Sequence, residues 1–279
     1  ESDPRRVLTI VPARGGGSFV EQDGQYFRVY DFVTGSLSLE APETAEDFAQ
    51  SAAAFGRFQQ QLSDFPAANL SETIPHFHDT PKRYTALREA IRQDVMGRAA
   101  GARDEINFAL AREQDAALLM DKLRAGLLPL RVTHNDTKLN NVLFDSATRK
   151  GLCVIDLDTV MPGLCANDFG DSIRFGASTA AEDERDLSRV SMSLEMYRAY
   201  KDAFLAACGG SLRDEEIASL PVGAKLMTLE CGVRFLTDYL SGDTYFRIHR
   251  EGHNLDRCRT QFKLVEDMED KWRDMQIKP

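Results

Sequence analysis

Between His134 and Asp156 the chain collects the residue types that phosphoryl transfer requires. His134, Asp136, Lys138 and Asn141 follow one another in one short segment, and Asp156 stands at the end of the next apolar run. Moving a phosphoryl group spreads negative charge over its oxygens, so a protein contributes mainly by positioning the partners and neutralising charge. A carboxylate such as Asp136 can take or orient the proton of an acceptor hydroxyl. Asn141 and Asp156 offer hard oxygen donors for a divalent cation, and Lys138 supplies a cation near the transferred group. Singly, each residue has a plainer use. A lone histidine is usually a packed core residue, and His134 is read here as one that packs and orients the loop. Asp and Asn in loops are usually turn formers, and Asn140-Asn141 fits that use. The ordered set, lying between two strands, is what points to catalysis.

Those residues need elements to hold them. Leu130–Thr133 is a short strand-like run leading into His134, and 141–144 and 151–155 are apolar runs on either side of a polar turn at 145–150. Upstream, Val7–Val11 and Tyr26–Tyr30 read as the arms of a hairpin with a long loop that contains the Gly15-Gly16-Gly17 turn. After Gly35 the pattern turns helical. Thr44 and Asp47 form a capping-box signature ahead of Phe48, Ala52, Phe55 and Leu62. Further helices are expected over 83–98 and 104–124. Three more are marked by Leu187, Val190, Leu194, Tyr197 and Phe204; by Leu226, Leu229, Val233, Leu236 and Leu240; and by Leu255, Cys258, Phe262, Val265 and Trp272. No internal repeat or low-complexity tract interrupts the chain.

The 279 residues carry a net charge of −10, from 44 acids against 34 bases. That balance argues against a nucleic-acid partner, which calls for a basic face. No apolar run is long enough to span a bilayer, so no membrane partner is expected. The five cysteines are scattered, with no C-x-x-C pair and no histidines at ligand spacing. They read as reduced thiols of a cytoplasmic protein.

The order H-x-D-x-x-x-x-N followed by a later aspartate matches the catalytic and metal elements of protein kinases. The wording HNDTKLNNVLFD (134–145), VIDLDTV (154–160) and NDFGDSIRFG (167–176) resembles the aminoglycoside phosphotransferase/choline kinase superfamily, and within it most of all the bacterial N-acetylhexosamine 1-kinases. PHFHDT (75–80), RFLTDYLSGDTYF (234–246) and NLDRCRTQFKLVEDME (254–269) extend the likeness over most of the chain from about Tyr26 onward. The resemblance implies an α+β, protein-kinase-like two-lobe fold. Residues 1–35 would be the remnant of a truncated β lobe with the hinge, and 36–279 a mainly helical lobe. The family's glycine-rich turn and its lysine–glutamate pair would lie before residue 1, which leads to the expectation of weak ATP binding and slow turnover by the chain as written.

The resemblance also implies roles. Asp136 would be the base, with Lys138 near the transferring phosphate. Asn141 and Asp156 would hold Mg²⁺, with Asp158 a further acid at the metal. Tyr30, Asp31, Phe32 and Val33 would form the hinge that meets adenine, and Arg234 and Tyr245 would contact the sugar. Asp168, Asp171 and Arg174 would be structural supports. The expected reaction is ATP- and Mg²⁺-dependent phosphorylation of an N-acetylhexosamine at its anomeric hydroxyl, with an aminoglycoside, choline or homoserine as the alternative acceptor. Two other readings stand further off. The run Asp156-Leu157-Asp158-Thr159-Val160 fits the D-x-D signature of haloacid-dehalogenase-type phosphatases, but that reading leaves 134–141 unexplained. A non-catalytic kinase-like scaffold conflicts with an intact base and metal set.

Overall fold

Asp23-Gly24, flanked by short alternating runs, is a strong local turn signal, because both residues tolerate positive φ. In the computed structural model, which describes residues 3–277, both take positive φ and join β1 (Val20–Gln22) to β2 (Gln25–Phe27) as an antiparallel hairpin. Outside it, Thr9–Val11 lies against 29–31. The Val11 N–H donates to Val29 O at 2.8 Å, and the Asp31 N–H donates to Thr9 O at 2.9 Å. The expected arms therefore pair only near 9–11 and 29–31, while Tyr26 and Phe27 of the second arm pair with Glu21 and Val20 in an inner hairpin.

Two further antiparallel sheets frame the candidate catalytic loop. β3 (Ser36–Ser38), β4 (Arg131–Thr133), β5 (Val142–Asp145), β6 (Gly151–Val154) and β7 (Met161–Gly163) assemble as β3-β5-β6 and as β4-β7. Arg5 ties the N-terminal arm to this region through an ion pair with Asp145 at 2.9 Å.

The helices are α1 (Ala45–Gln61), α2 (Thr80–Gln93), α3 (Arg103–Leu110), α4 (Leu118–Arg124), α5 (Cys165–Gly176), α6 (Leu194–Cys208), α7 (Asp214–Leu240), α8 (His253–Asp270) and α9 (Trp272–Met275). α1 begins with the expected box: Thr44 Oγ1 accepts from Asp47 N, and Asp47 Oδ2 accepts from Thr44 N. α1 packs on α6, α5 on α7, and α7 on α8. α5 and α7 cross at two glycines. A Cβ on Gly170 would lie 2.3 Å from Gly223 O, and one on Gly223 would lie 1.9 Å from Ala166 O. That approach buries nearly all of α5, the helix that supports the catalytic loop.

Four helical expectations need correction, because side-chain hydrogen bonds, some local and some from other elements, override the periodic pattern. The helix expected over 104–124 is broken into α3 and α4. The Tyr84 hydroxyl donates to Ala109 O, and Arg112 Nη1 donates to Phe108 O, so side chains take carbonyls at the end of α3. α2 ends at Gln93 rather than 98, because Asp94 turns left-handed and accepts from the Ala99 N–H. Leu187 and Val190 precede α6, which starts only where Ser193 caps it. Trp272 falls beyond α8, where Lys271 turns its ammonium to Met192 O and Asp267. Among the described residues, no helix is long and apolar enough to cross a membrane.

Candidate active site

β4 ends at Thr133 and delivers the chain to the 134–141 loop, whose backbone is held chiefly by α5. The Asp168 carboxylate accepts from His134 N at 2.9 Å, from Asn135 N at 2.8 Å and from Gln59 Nε2 at 3.1 Å. Burial pushes its pKa above the ordinary carboxylate value, against the pull of those donors. Asp171 accepts from Thr137 N at 3.1 Å and is gripped by Arg174. Burial alone would raise Asp171 as well, but Arg174 and Lys138 outweigh it and hold the group below its usual value. Ser172 Oγ donates to Thr137 O at 2.7 Å. These contacts suit the supporting role expected of Asp168, Asp171 and Arg174.

His134 is fully buried, with its ring edge-to-face against Phe55 and Phe58. Nε2 donates to Ile155 O at 2.9 Å, which leaves Nδ1 to accept the Asp136 N–H at 3.3 Å. The ring links the two segments that carry acids. Asn135 takes φ 66°. Asparagine tolerates this left-handed conformation, and its side chain secures it by donating to Thr133 O and Thr159 O. Gly163 must stay bare for this, because a Cβ there would lie 2.2 Å from Thr133 Oγ1 and 3.0 Å from Asn135 Oδ1.

Three of the predicted residues meet at one point. Lys138 Nζ lies 2.8 Å from Asp136 Oδ1, and Asn141 Nδ2 donates to Asp136 O at 2.7 Å and to Asp136 Oδ2 at 3.1 Å. Burial opposes the Lys138 charge, but Asp136 more than offsets it, so the ammonium titrates above its usual value. The Ile155 N–H donates to Asn141 O at 2.9 Å, which brings the end of β6 and then Asp156 alongside. Asp156 is itself left-handed, at φ 59°. Asp158 differs from its neighbours, because its carboxylate is ion-paired with Arg28 of the N-terminal arm.

Two clefts open on either side of these residues. One, of ≈ 680 Å³, is lined by Ile10, Phe27, Arg28, Tyr30, Asp156 and Asp158. Of the expected hinge residues, only Tyr30 lines it. Because the pairing of the arm uses Val29 O and Asp31 N, the Tyr30 N–H and C=O lie outside that pairing. Val33 is buried against Leu152 and Cys153, while Phe32 is 86% exposed. The second cleft, of ≈ 450 Å³, contains Asp136, Lys138, Asp171, Glu230, Arg234 and Tyr245 in its wall. The structure thus brings Arg234 and Tyr245 into one cavity with Asp136. Arg234 is surrounded by the rings of Phe77, Tyr245 and Phe246, at 5.5, 5.8 and 5.4 Å from their centroids. Tyr245 is placed by Asp238, whose carboxylate accepts from Thr244 N, Tyr245 N and Phe246 N, each at 2.9 Å.

Residues 5–202 match the model of the phosphotransferase enzyme family, APH. The chain belongs to that family. An aminoglycoside phosphotransferase from Alicyclobacillus acidocaldarius has a similar structure, at TM-score 0.64 and 15% identity over 97% of this chain and 76% of that one. So has a choline kinase from Cryptosporidium parvum, at TM-score 0.57 and 14% identity over 96% and 75%. A microcompartment-associated aminopropanol kinase matches at TM-score 0.53 and 17% identity over 98% and 78%. At such identities the likeness concerns the fold, which is α+β and kinase-like. The family match also removes the haloacid-dehalogenase reading of this phosphotransferase. After Asp158 the chain passes through β7 into buried α5, without the alternating strands and helices that such a fold needs.

Sequence reasoning passed over three residues at the site. Arg28 bears on the acids from the N-terminal arm, and His78 and Glu230 line the second cleft. Glu230 carried a usable signal, an acid inside the apolar face marked by Leu226, Leu229 and Val233.

Proposed function

We propose that this phosphotransferase transfers the γ-phosphoryl group of ATP to a hydroxyl of a sugar, namely the anomeric hydroxyl of an N-acetylhexosamine, giving the 1-phosphate. The observation that carries this reading is the single cavity shared by Asp136, Arg234 and Tyr245. The nucleotide would occupy the neighbouring cleft past Tyr30 and Asp156. As the acceptor oxygen bonds to the γ-phosphorus, its proton passes to Asp136, the bond to the β,γ-bridging oxygen breaks, and ADP leaves. Lys138, already paired with Asp136, would balance charge on the transferring oxygens.

Asn141 and Asp156 suit Mg²⁺. Asn141 uses its Nδ2 on Asp136, which leaves Oδ1 as an acceptor, and Asp156 has no ion pair among the described residues. One amide oxygen and one carboxylate leave the remaining octahedral positions for phosphate oxygens and water. When bound there, Mg²⁺ supplies charge neutralisation on the phosphates and fixes their orientation. Asp158 is engaged by Arg28, and in this reading it tethers the arm across the nucleotide cleft.

The named structural relatives act on amino alcohols and aminoglycosides. Here Arg234 has no carboxylate partner among the described residues, only aromatic rings. An ammonium substrate would have to approach this guanidinium, and the acids in the same wall are already engaged: Asp136 by Lys138, Asp171 and Glu182 by Arg174, and Glu230 by His78. A neutral polyol finds donors there instead. The test is ³¹P NMR of the full-length protein with Mg-ATP and, separately, GlcNAc, GalNAc, choline and an aminoglycoside. A hexosamine 1-phosphate resonance is expected. Product only with a cationic acceptor would overturn the sugar reading and leave the family standing.

A further inference from the structure

We infer that His78 is a positioning residue for the catalytic loop, an imidazolium clamped between Glu230 of α7 and the backbone carbonyl of Asn135, the residue before Asp136. The inference rests on the reading of Asp136 as the base.

The geometry carries the argument. His78 Nδ1 lies 3.0 Å from Glu230 Oε1, and Nε2 lies 3.3 Å from Asn135 O. A carboxylate and a backbone carbonyl are both acceptors, so each ring nitrogen must bring its own proton. Either neutral tautomer would turn a lone pair onto an oxygen. The other oxygen of Glu230 accepts the Thr80 hydroxyl at 2.7 Å, so the carboxylate is fully engaged while wholly buried. A buried carboxylate needs a cation, and His78 is the group in contact with it. Burial opposes charge on both groups. Each nevertheless sustains the other, with His78 raised above the ordinary imidazole value and Glu230 held below the ordinary carboxylate value. Asp168 and Asp171 on α5 also act on the ring, Arg234 on α7 and Arg83 on α2 act on Glu230, Asp136, Lys138, Arg174 and Glu182 share the cleft wall with His78, and Glu72, His76 and Asp79 lie on its own segment.

The carbonyl that His78 holds belongs to the left-handed residue of the loop. The remaining bonds to Asn135 come from α5 and from the strand side, through Asp168, Thr133 and Thr159. His78 is the link from α7. Glu230 stands one helical turn before Arg234. The clamp therefore joins α7, the helix that carries Arg234, to the base through two side chains, Glu230 and His78, and one peptide, and sets the distance between substrate and Asp136.

The experiment is ¹⁵N NMR of histidine-labelled full-length protein, with the His78 signals assigned by their loss in His78→Gln. At near-neutral pH both ring nitrogens of His78 are expected at imidazolium shifts in the wild type, and at neutral-imidazole shifts in Glu230→Gln. As pH rises, kcat should fall together with the His78 titration. The fall should be absent from His78→Gln, whose kcat should lie about 10- to 100-fold below wild type with KM for ATP little changed. A neutral His78 in the wild type, or a His78→Gln enzyme with wild-type kcat, would overturn the inference. If the variants fail to fold, the wild-type titration decides, with the His78 signals assigned by through-bond correlation in the wild type: a kcat indifferent to deprotonation of His78 contradicts the clamp. Failure of the Asp136 reading would show separately, as an active Asp136→Asn enzyme with the imidazolium signals intact.

Discussion

Asp168 does no chemistry in this account, yet three N–H donors converge on its buried carboxylate, two of them from the loop backbone. Asp168→Ala leaves those donors without partners in a dry site. Each unsatisfied buried donor costs about 1–3 kcal/mol, so a loss of about 3 kcal/mol or more is expected. Urea unfolding checks this, and an unchanged midpoint would contradict the supporting role. A stability loss accompanied by wild-type kcat per folded molecule would show that Asp168 supports the fold without aligning the loop. The core of the candidate site was legible because His134, Asp136, Lys138 and Asn141 fall in one short segment, where local order alone brings them together. His78 and Glu230 lie 152 positions apart, and their pairing exists only after folding. Nor does spacing show that Arg28 would occupy Asp158.

At the level of elements, the site depends on how closely α5 can approach α7. An interior helical Gly→Ala change ordinarily gains up to about 1 kcal/mol from helix propensity. At Gly223 the sign should reverse, because the new methyl would lie 1.9 Å from the backbone oxygen of Ala166. Overpacking of this kind costs about 1–3 kcal/mol, and separating the helices would also shift Asp168 and Asp171. Gly223→Ala is therefore expected to lower both Tm and kcat, as calorimetry and a steady-state assay would read. A variant more stable than wild type would contradict the packing argument. The strands around the loop and the capped start of α1 were legible because their signals are local. The ends of α2, the break between α3 and α4, and the late start of α6 were not. Tyr84 and Asp267 reach the break and the start of α6 from elsewhere in the fold, while Asp94 and Arg112 act on carbonyl and amide groups a turn away that periodicity does not reveal.

On the scale of the molecule, two clefts meet at one loop. The larger opens beneath the N-terminal arm and reaches Asp156, and the smaller opens between α7 and the loop and reaches Asp136. The chain as a whole is acidic, at −10, yet the wall of the smaller cleft mixes acids with arginines, of which Arg234 makes no ion pair among the described residues. In the proposed reaction, transfer from one cleft to the other would need no covalent intermediate, only a hydroxyl deprotonated at the junction. The most direct test is single-turnover transfer from γ-labelled ATP to an N-acetylhexosamine, by the full-length wild type and by Asp136→Asn with an unchanged Tm. The account predicts label in the sugar phosphate for the wild type, and a rate about 10²- to 10⁴-fold lower for the variant. Wild-type transfer by Asp136→Asn, or label trapped on the protein at Asp156, would contradict it.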